Sequence, residues 1–550
     1  MAFLSPRSAW HPTRLLAVLV LWLATVGNLP FWMAIWQLPE TQGLRAVTTM
    51  GSLWLILVSL LGCFLCLWVW PRWLKPVGVA MLVMVTSSSY FMLTYGVVID
   101  THMLANVVHT DVREVRDLLS WRMLAALIVG VVLPGIWLWR QPIRAVPAQS
   151  LIGRQVGAAT VAFVVAVGIF WISFQDIASL TRNHKELRYL INPFNSVYAL
   201  TLLSVGQASQ AAKPLQTIGE DAKLLNTPAS EAAAPLVVLI LGETARAANF
   251  GLAGYERDTT PQLRKLQAQG DLVYFSDVKS CGTSTQASVP CMFSHLGKAA
   301  YEGSKVRYES LLDVLQRAGM AVLWLNNQSG CKGLCDRVPN VTTSALNVPE
   351  FCQTGECLDE VMLHELPRRL AALDPARRAK GTLVVMHQMG SHGPAYYKRS
   401  PASMKPFQPE CSSHALQNCP PEHIVNAYDN SLLYTDHFIA KTVAWLKGQS
   451  RPTALLYVSD HGESLGEKGL YLHGMPYSMA SNEQIQVPML VWLSPAFQSQ
   501  RGWRMSCLRE QSAKALSHDH FFHSVLGLTQ VSTQLRKPEL DVFQACAAAR

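Results

Sequence analysis

Leu236-Val-Val-Leu-Ile-Leu-Gly-Glu-Thr244 is an unbroken apolar run that stops on Gly242 and delivers a carboxylate, Glu243, directly afterwards. A short, continuous, partly β-branched run of this kind reads as a strand buried on both faces, the form strands take in parallel sheets. Open α/β sheets present their ligands beyond the carboxyl ends of the strands, so Glu243 stands where a ligand is expected. A second run, Ala454-Leu-Leu-Tyr-Val458, ends the same way in Ser-Asp-His-Gly-Glu-Ser (459–464), and Cys281-Gly-Thr-Ser-Thr285 is a third polar motif. Glu243, Thr285, Asp460 and His461 together supply two carboxylates, one imidazole and one hydroxyl. That donor set suits zinc and also manganese, and no thiolate obviously joins it. A bound dication would make the Thr285 hydroxyl acidic enough to ionise near neutral pH, as it lowers the pKa of bound water to ~7. The expectation is a metal-activated nucleophile, against the plainer reading of a helix cap, a turn and a loop hydroxyl.

Outward from these motifs the pattern alternates. Apolar runs at 236–241, 321–325, 382–386, 454–458 and 488–493 are separated by segments of helical periodicity, among them 261–269 and 306–318, as in a mainly parallel sheet covered by helices. Thr260-Pro261 is a helix start and Gly270 a stop. Polar residues follow four of the runs: Glu243, then Asn326 to Lys332, then His387 to His392, then Asp460 to Glu463. Lys332, flanked by Cys331 and Cys335, is a cation suited to a phosphate. His392 and His473 lie in glycine-flanked loops, where backbone can approach a ligand closely, and Thr285 opens a stretch with helical spacing, whose N-terminus favours an anion.

The first third of the chain is of another kind. Of 550 residues 50% are hydrophobic and only 15% charged, too apolar for an ordinary soluble enzyme of this size. Apolar stretches at 15–36, 47–70, 76–98, 120–139 and 156–174 are each near the ~20 residues that span a bilayer, with Pro30 and Pro134 at helix ends or kinks. Arg7, Arg14, Arg72, Lys75, Arg140, Arg144 and Arg154 fall in the loops of one side. The other side mixes Arg45, Arg113 and Arg116 with Glu40, Asp100, Asp111, Glu114 and Asp117. The first side is therefore cytoplasmic, and five crossings export everything after about residue 175. No small-residue cleavage site precedes Gln37, so the first run reads as a retained anchor.

Ten cysteines lie in the exported part, eight of them in close pairs. They suggest disulfides Cys281–Cys291, Cys331–Cys335, Cys352–Cys357 and Cys411–Cys419, with Cys507–Cys546 as the remaining pair, in an oxidising compartment. The expected organisation is a five-helix membrane domain (1–175), an interfacial helix and Ala/Ser/Gln-rich linker (176–235), and an α/β catalytic domain (236–550). The net charge of +9 is compatible with work on anionic lipid surfaces.

Gly-Glu-Thr-Ala-Arg-Ala (242–247), Ser-Cys-Gly-Thr-Ser-Thr (280–285), Ser-Val-Pro-Cys-Met-Phe-Ser (288–294), His-Gln-Met-Gly-Ser-His-Gly-Pro-Ala-Tyr (387–396) and Ser-Asp-His-Gly-Glu-Ser-Leu-Gly-Glu (459–467) resemble, in order, the lipid A phosphoethanolamine transferases, including the mobile colistin-resistance enzymes. The resemblance implies an alkaline-phosphatase and sulfatase type periplasmic domain on an inner-membrane anchor of a Gram-negative cell. It implies Zn2+ held by Glu243, Thr285, Asp460 and His461, with Thr285 the nucleophile; it alone ranks Thr285 above Thr283. It also implies substrate contacts at Asn106, Thr110, Glu114, Ser329, Lys332, His392 and His473, with His392 and His473 as candidates for a second metal. Phosphatidylethanolamine is the implied donor and lipid A the acceptor, with polymyxin resistance as the consequence; a monomer in contact with membrane lipids, and no nucleic acid, is expected.

Three other enzymes and one binder compete. A sulfatase needs Cys or Ser in a Cys-x-Pro-x-Arg context, which Cys281-Gly-Thr-Ser-Thr285 does not supply. A polyglycerolphosphate synthase shares the helices and the threonine but not the cysteine pairs or the extended motifs. A transferase acting on lipopolysaccharide core sugars would share the donor step and differ only in acceptor. A lipid sensor with a degenerate site is disfavoured, since all four metal positions are present.

Overall fold

The computed structural model describes residues 9–38, 41, 43–68, 70–109, 115, 118–211, 214–353 and 356–547. The chain divides into two compact units, Met1–Leu104 with Leu119–Val205, and Ala105–Leu118 with Gly206–Arg550.

Among the described residues, five helices of the first unit are long and apolar enough to cross a membrane: α1 (Pro12–Trp36), α2 (Ala46–Leu67), α3 (Pro71–Tyr95), α4 (Trp121–Arg140) and α5 (Ala148–Ile172). The expected stretches find these spans but misplace two starts. Pro71, not Pro76, is the first-turn proline of α3, and α5 begins eight residues early because Gln149, Arg154 and Gln155 extend it at its polar end. Both flagged prolines act on backbone geometry: a 3-10 turn at Val26–Asn28 precedes Pro30, and a π-turn at Ile128–Val132 precedes Pro134. Each proline lacks the N–H its helix needs, and the turn before it absorbs the mismatch.

The segment after α5 is anchored to this unit. The Asn28 amide donates to the Leu23 and Asn192 carbonyls, both at 2.7 Å, and the Asn192 N–H returns a bond to Asn28 Oδ1 at 2.8 Å. Helix Phe194–Ala211 extends into the Ala/Ser/Gln-rich stretch expected to be linker. Beyond it, Leu215–Gln216 pairs with Arg307–Tyr308 and Lys223–Leu224 with Val531–Ser532. The linker is thus partly strand, fastened to the second unit.

The second unit is built on a seven-stranded sheet: β1 (Leu236–Gly242), β2 (Leu272–Phe275), β3 (Ala321–Asn326), β4 (Asn340–Thr342), β5 (Thr382–His387), β6 (Thr453–Ser459) and β7 (Met489–Leu493). The strands lie in the order β2-β7-β6-β1-β5-β3-β4, and β7 alone runs against the rest. Along β1, Val237, Leu239 and Leu241 pack into one core, and Leu236, Val238 and Ile240 into the other. That two-sided burial is why the run carries no polar residue. The second expected helix starts later than its periodicity suggests: Arg307–Tyr308 are strand, and Ser310 caps a helix over Leu311–Arg317, with Asp313 completing a capping box.

Register carries the fold to its function. Leu241 of β1 faces His387 of β5, His387 faces Asn326 of β3, and Gly242 faces Ser459 of β6. Four central strands therefore end level, and the residues that follow them emerge side by side.

Candidate active site

Glu243 follows β1 and Asp460-His461 follows β6, all three completely buried, with ligand atoms within 4.8 Å of one another. Thr285 comes from elsewhere. It begins helix α6 (Thr285–Met292), and its Oγ1 lies 3.2 and 3.0 Å from the two Glu243 oxygens and 3.4 Å from His461 Nε2. His461 Nε2 is 3.3 Å from Glu243 Oε1 and 3.5 Å from Asp460 Oδ2. The four residues read from the sequence thus converge on one point.

Supporting bonds aim each group. His461 Nδ1–H donates to the Gly462 carbonyl at 2.8 Å, which turns Nε2 toward the carboxylates. Asp460 Oδ1 accepts the N–H groups of Thr244 at 3.1 Å and His461 at 2.8 Å, whereas its buried Oδ2 accepts no hydrogen bond among the described residues and has only the His461 imidazole near it. Gln328 Nε2 donates to Glu243 Oε2 at 2.7 Å and Thr244 Oγ1 to Oε1 at 2.6 Å. Burial, with the charge of Glu243, pushes the Asp460 carboxyl above its ordinary range. Burial works against protonation of His461, but Asp460 and Glu243 outweigh it and raise its pKa. The two carboxylates share one imidazole, and burial keeps all three groups from water. A buried carboxylate oxygen without a hydrogen bond, and two carboxylates sharing one imidazole, fit a divalent cation, and the oxygen and imidazole donors suit zinc and manganese alike.

The remaining candidates differ in how closely they join. The His473 ring centre lies 4.5 Å from that of His461, tilted against it, and 5.6 Å from that of His392, edge to face, and its Nδ1 bonds the buried Glu463 at 3.0 Å. Both histidines therefore line the cluster. Lys332 is half-buried with a left-handed φ of 52°, its ammonium 3.5 Å from Ser329 Oγ in the loop after β3. Asn106 lies on the helix Thr101–His109. Thr110 and Glu114 lie outside the described residues. Thr283, the rival hydroxyl, donates to the Met475 carbonyl at 2.6 Å and is engaged in holding the loop. All five disulfides form, Cys507–Cys546 included.

Sequence reasoning missed the residues that hold this site from behind. Buried Asp359 accepts from Asn327 and from the backbone N–H of Met389 and Gly390, at 2.8, 2.8 and 3.1 Å, and so ties the loop after β3 to the loop after β5. His518 sits behind Thr285, and burial pushes its pKa down to about 3, so its ring is neutral. Neither lies in a polar motif after an apolar run, the signal that exposed the others. Gly390 has a reason of its own. Its φ is 52°, and a Cβ there would meet the Glu243 carbonyl oxygen at 2.6 Å. Gly390→Ala is expected to displace Glu243 and to lower metal affinity by about tenfold or more, with a backbone cost of roughly 1–2 kcal/mol; zinc titration with thermal melting checks both.

Residues 235–531 match the family model described as Sulfatase, and residues 57–208 that of Phosphoethanolamine transferase EptA/EptB. Phosphoethanolamine transferase EptA of Escherichia coli K12 is 38% identical over 532 residues, covering 94% of each chain. The chain belongs to the EptA family of phosphoethanolamine transferases. Phosphatidylethanolamine transferase Mcr-1 of Escherichia coli is 38% identical over 508 residues, 88% of this chain and 91% of the relative. Among solved structures, the integral membrane lipooligosaccharide phosphoethanolamine transferase A of Neisseria meningitidis superposes with a TM-score of 0.92 at 35% identity, over 98% of this chain and 99% of that one. This family member is accordingly a multi-pass membrane protein with a sulfatase-like domain.

Proposed function

We propose that the protein transfers phosphoethanolamine from phosphatidylethanolamine to a phosphate of lipid A, through a covalent intermediate on Thr285. The observation that carries this reading is the Thr285 hydroxyl held 3.0 Å from a buried metal-type carboxylate at the end of the sheet. Zinc, held by Glu243, Thr285, Asp460 and His461, would supply positive charge that makes the hydroxyl more acidic and offsets the charge of the phosphoryl oxygens. Thr285 Oγ1 forms a bond to phosphorus, the bond from phosphorus to the glycerol oxygen breaks, and diacylglycerol leaves with a proton from His392 or His473. A lipid A phosphate oxygen then attacks the phosphorus of the phosphoethanolamine-threonine, the bond from phosphorus to Thr285 Oγ1 breaks, and Thr285 recovers a proton as it leaves.

Lys332 and Ser329 face the phosphoryl oxygens in this reading, while Asn106, Thr110 and Glu114 contact substrate; His392 and His473 are the residues for a second metal. The excess of Arg and Lys in one set of loops supports a catalytic unit on the periplasmic face of the inner membrane, the chain acting as a monomer. Capping a phosphate with an ammonium group lowers surface negative charge, so cationic polymyxins should bind less.

Mass spectrometry of lipid A from cells expressing the protein tests the acceptor. A gain of about one phosphoethanolamine group per molecule is expected, with a rise in polymyxin tolerance. If lipid A stays unmodified while the core sugars gain the group, the acceptor is the core and the donor half of the reading stands.

A further inference from the structure

His518 belongs to none of the motifs, yet it occupies the junction between the two halves of the site. It is 2% exposed, at the start of helix α7 (Asp519–Thr529). On one side its Nε2 lies 3.0 Å from the carbonyl oxygen of Ser459, the last residue of β6 before Asp460. On the other, Nδ1 accepts the N–H of Cys281 at 3.1 Å and lies 3.1 Å from Ser288 Oγ. A carbonyl only accepts and a backbone N–H only donates. The tautomer is thereby fixed: the proton is on Nε2 and the lone pair on Nδ1. Ser288 adds a parallel tie, its hydroxyl donating to the Asp460 carbonyl at 2.5 Å.

The chain positions give these bonds their meaning. Cys281 and Ser288 flank Thr285 on the loop and helix that carry it, and Ser459 immediately precedes the two ligands from β6. The disulfide Cys281–Cys291 closes the Thr285 segment on itself but does not fix its distance from the sheet. His518 does. We propose that His518 is a positioning residue, a neutral imidazole whose two nitrogens set the separation of Thr285 from the Glu243–Asp460–His461 cluster. This rests on reading Thr285 as nucleophile and metal ligand. Any buried histidine needs partners for its nitrogens; what sets this one apart is that they lie on the two segments that carry Thr285 and Asp460-His461.

The test compares full-length wild type, His518→Gln, Ser288→Ala and Thr285→Ala, each loaded with cobalt in place of zinc. An amide at 518 reaches the Ser459 carbonyl but leaves the Cys281 N–H without its acceptor, so the bridge is cut on the Thr285 side. With cobalt content unchanged, the visible spectrum of His518→Gln is expected to move toward that of Thr285→Ala, and kcat to fall about 10²-fold with KM held within about twofold. Ser288→Ala, which removes one small group, is expected to move both readouts the same way, kcat by roughly tenfold. Should His518→Gln fail to fold, Ser288→Ala decides on the same criteria. A wild-type spectrum together with a wild-type kcat per folded molecule would overturn the proposal. If wild type transfers nothing, the functional reading fails, and the spectra, which need no substrate, still judge the positioning claim.

Discussion

Thr285→Ala is expected to abolish phosphoethanolamine transfer, by about 10⁴-fold or more, in a protein that remains folded and still binds zinc. Loss of a covalent nucleophile has no substitute, because the other catalytic groups act on the bond that it forms. The fold has little at stake. Thr285 is the first residue of α6, a place where alanine is tolerated, and the Cys281–Cys291 disulfide and the Ser288 bond to Asp460 hold the helix independently of it. Glu243 keeps its bonds from Thr244 and Gln328, so Glu243, Asp460 and His461 persist as a ligand set. Intact-protein mass spectrometry after exposure to phosphatidylethanolamine supplies the direct measurement. Wild type should gain one phosphoethanolamine and Thr285→Ala none. An adduct on Thr283 in either protein would sink the assignment, although the Thr283 hydroxyl is tied to the Met475 carbonyl.

Physical reasons decide which parts of this structure were legible in the sequence. β1 and β6 are central and buried on both faces, so their residues had to be continuously apolar, and the polar residues that end them stand out. The level strand ends then place Glu243 beside Asp460-His461 without further information. β2 and β4 escaped notice because they are short, four and three residues long, too few for a run to stand out from its surroundings. The strand pairs at Leu215–Gln216 and Lys223–Leu224 escaped for a related reason. Two-residue strands leave no periodicity, and what fixes them is the distant partner.

His518 and Asp359 mark a different limit. Each acts through a hydrogen bond to a group remote in sequence, and each type is common in bland surroundings, so nothing local separates a tie from a surface residue. Thr283 and Thr285 illustrate the same point within three residues. Both are hydroxyls in one polar motif, and only the surrounding geometry gives one a carbonyl to bond and the other a carboxylate pair.

Asp460→Asn should separate metal binding from folding. Oδ1 of Asp460 is satisfied by two backbone N–H groups, and an asparagine can present its own Oδ1 to them, so the turn after β6 survives. The change falls on the other atom. Oδ2, which accepts no hydrogen bond, would become an amide nitrogen that donates and cannot ligate, aimed into the cluster. Zinc affinity is therefore expected to drop by more than the roughly 10–100-fold attached to loss of a supporting hydrogen bond, and transfer to drop by at least about 10³-fold. Thermal melting with and without zinc supplies the sign. Wild type should gain stability as zinc rises above its dissociation constant, by about 2.7 kcal/mol at a hundredfold excess, whereas Asp460→Asn should gain little. Without zinc the order should reverse: the variant removes one of two buried carboxylates that repel each other, so it should melt no lower than wild type treated with chelator. A zinc-dependent shift of wild-type size in Asp460→Asn would show that the cation is held elsewhere, and the His392 and His473 pair would be the place to look.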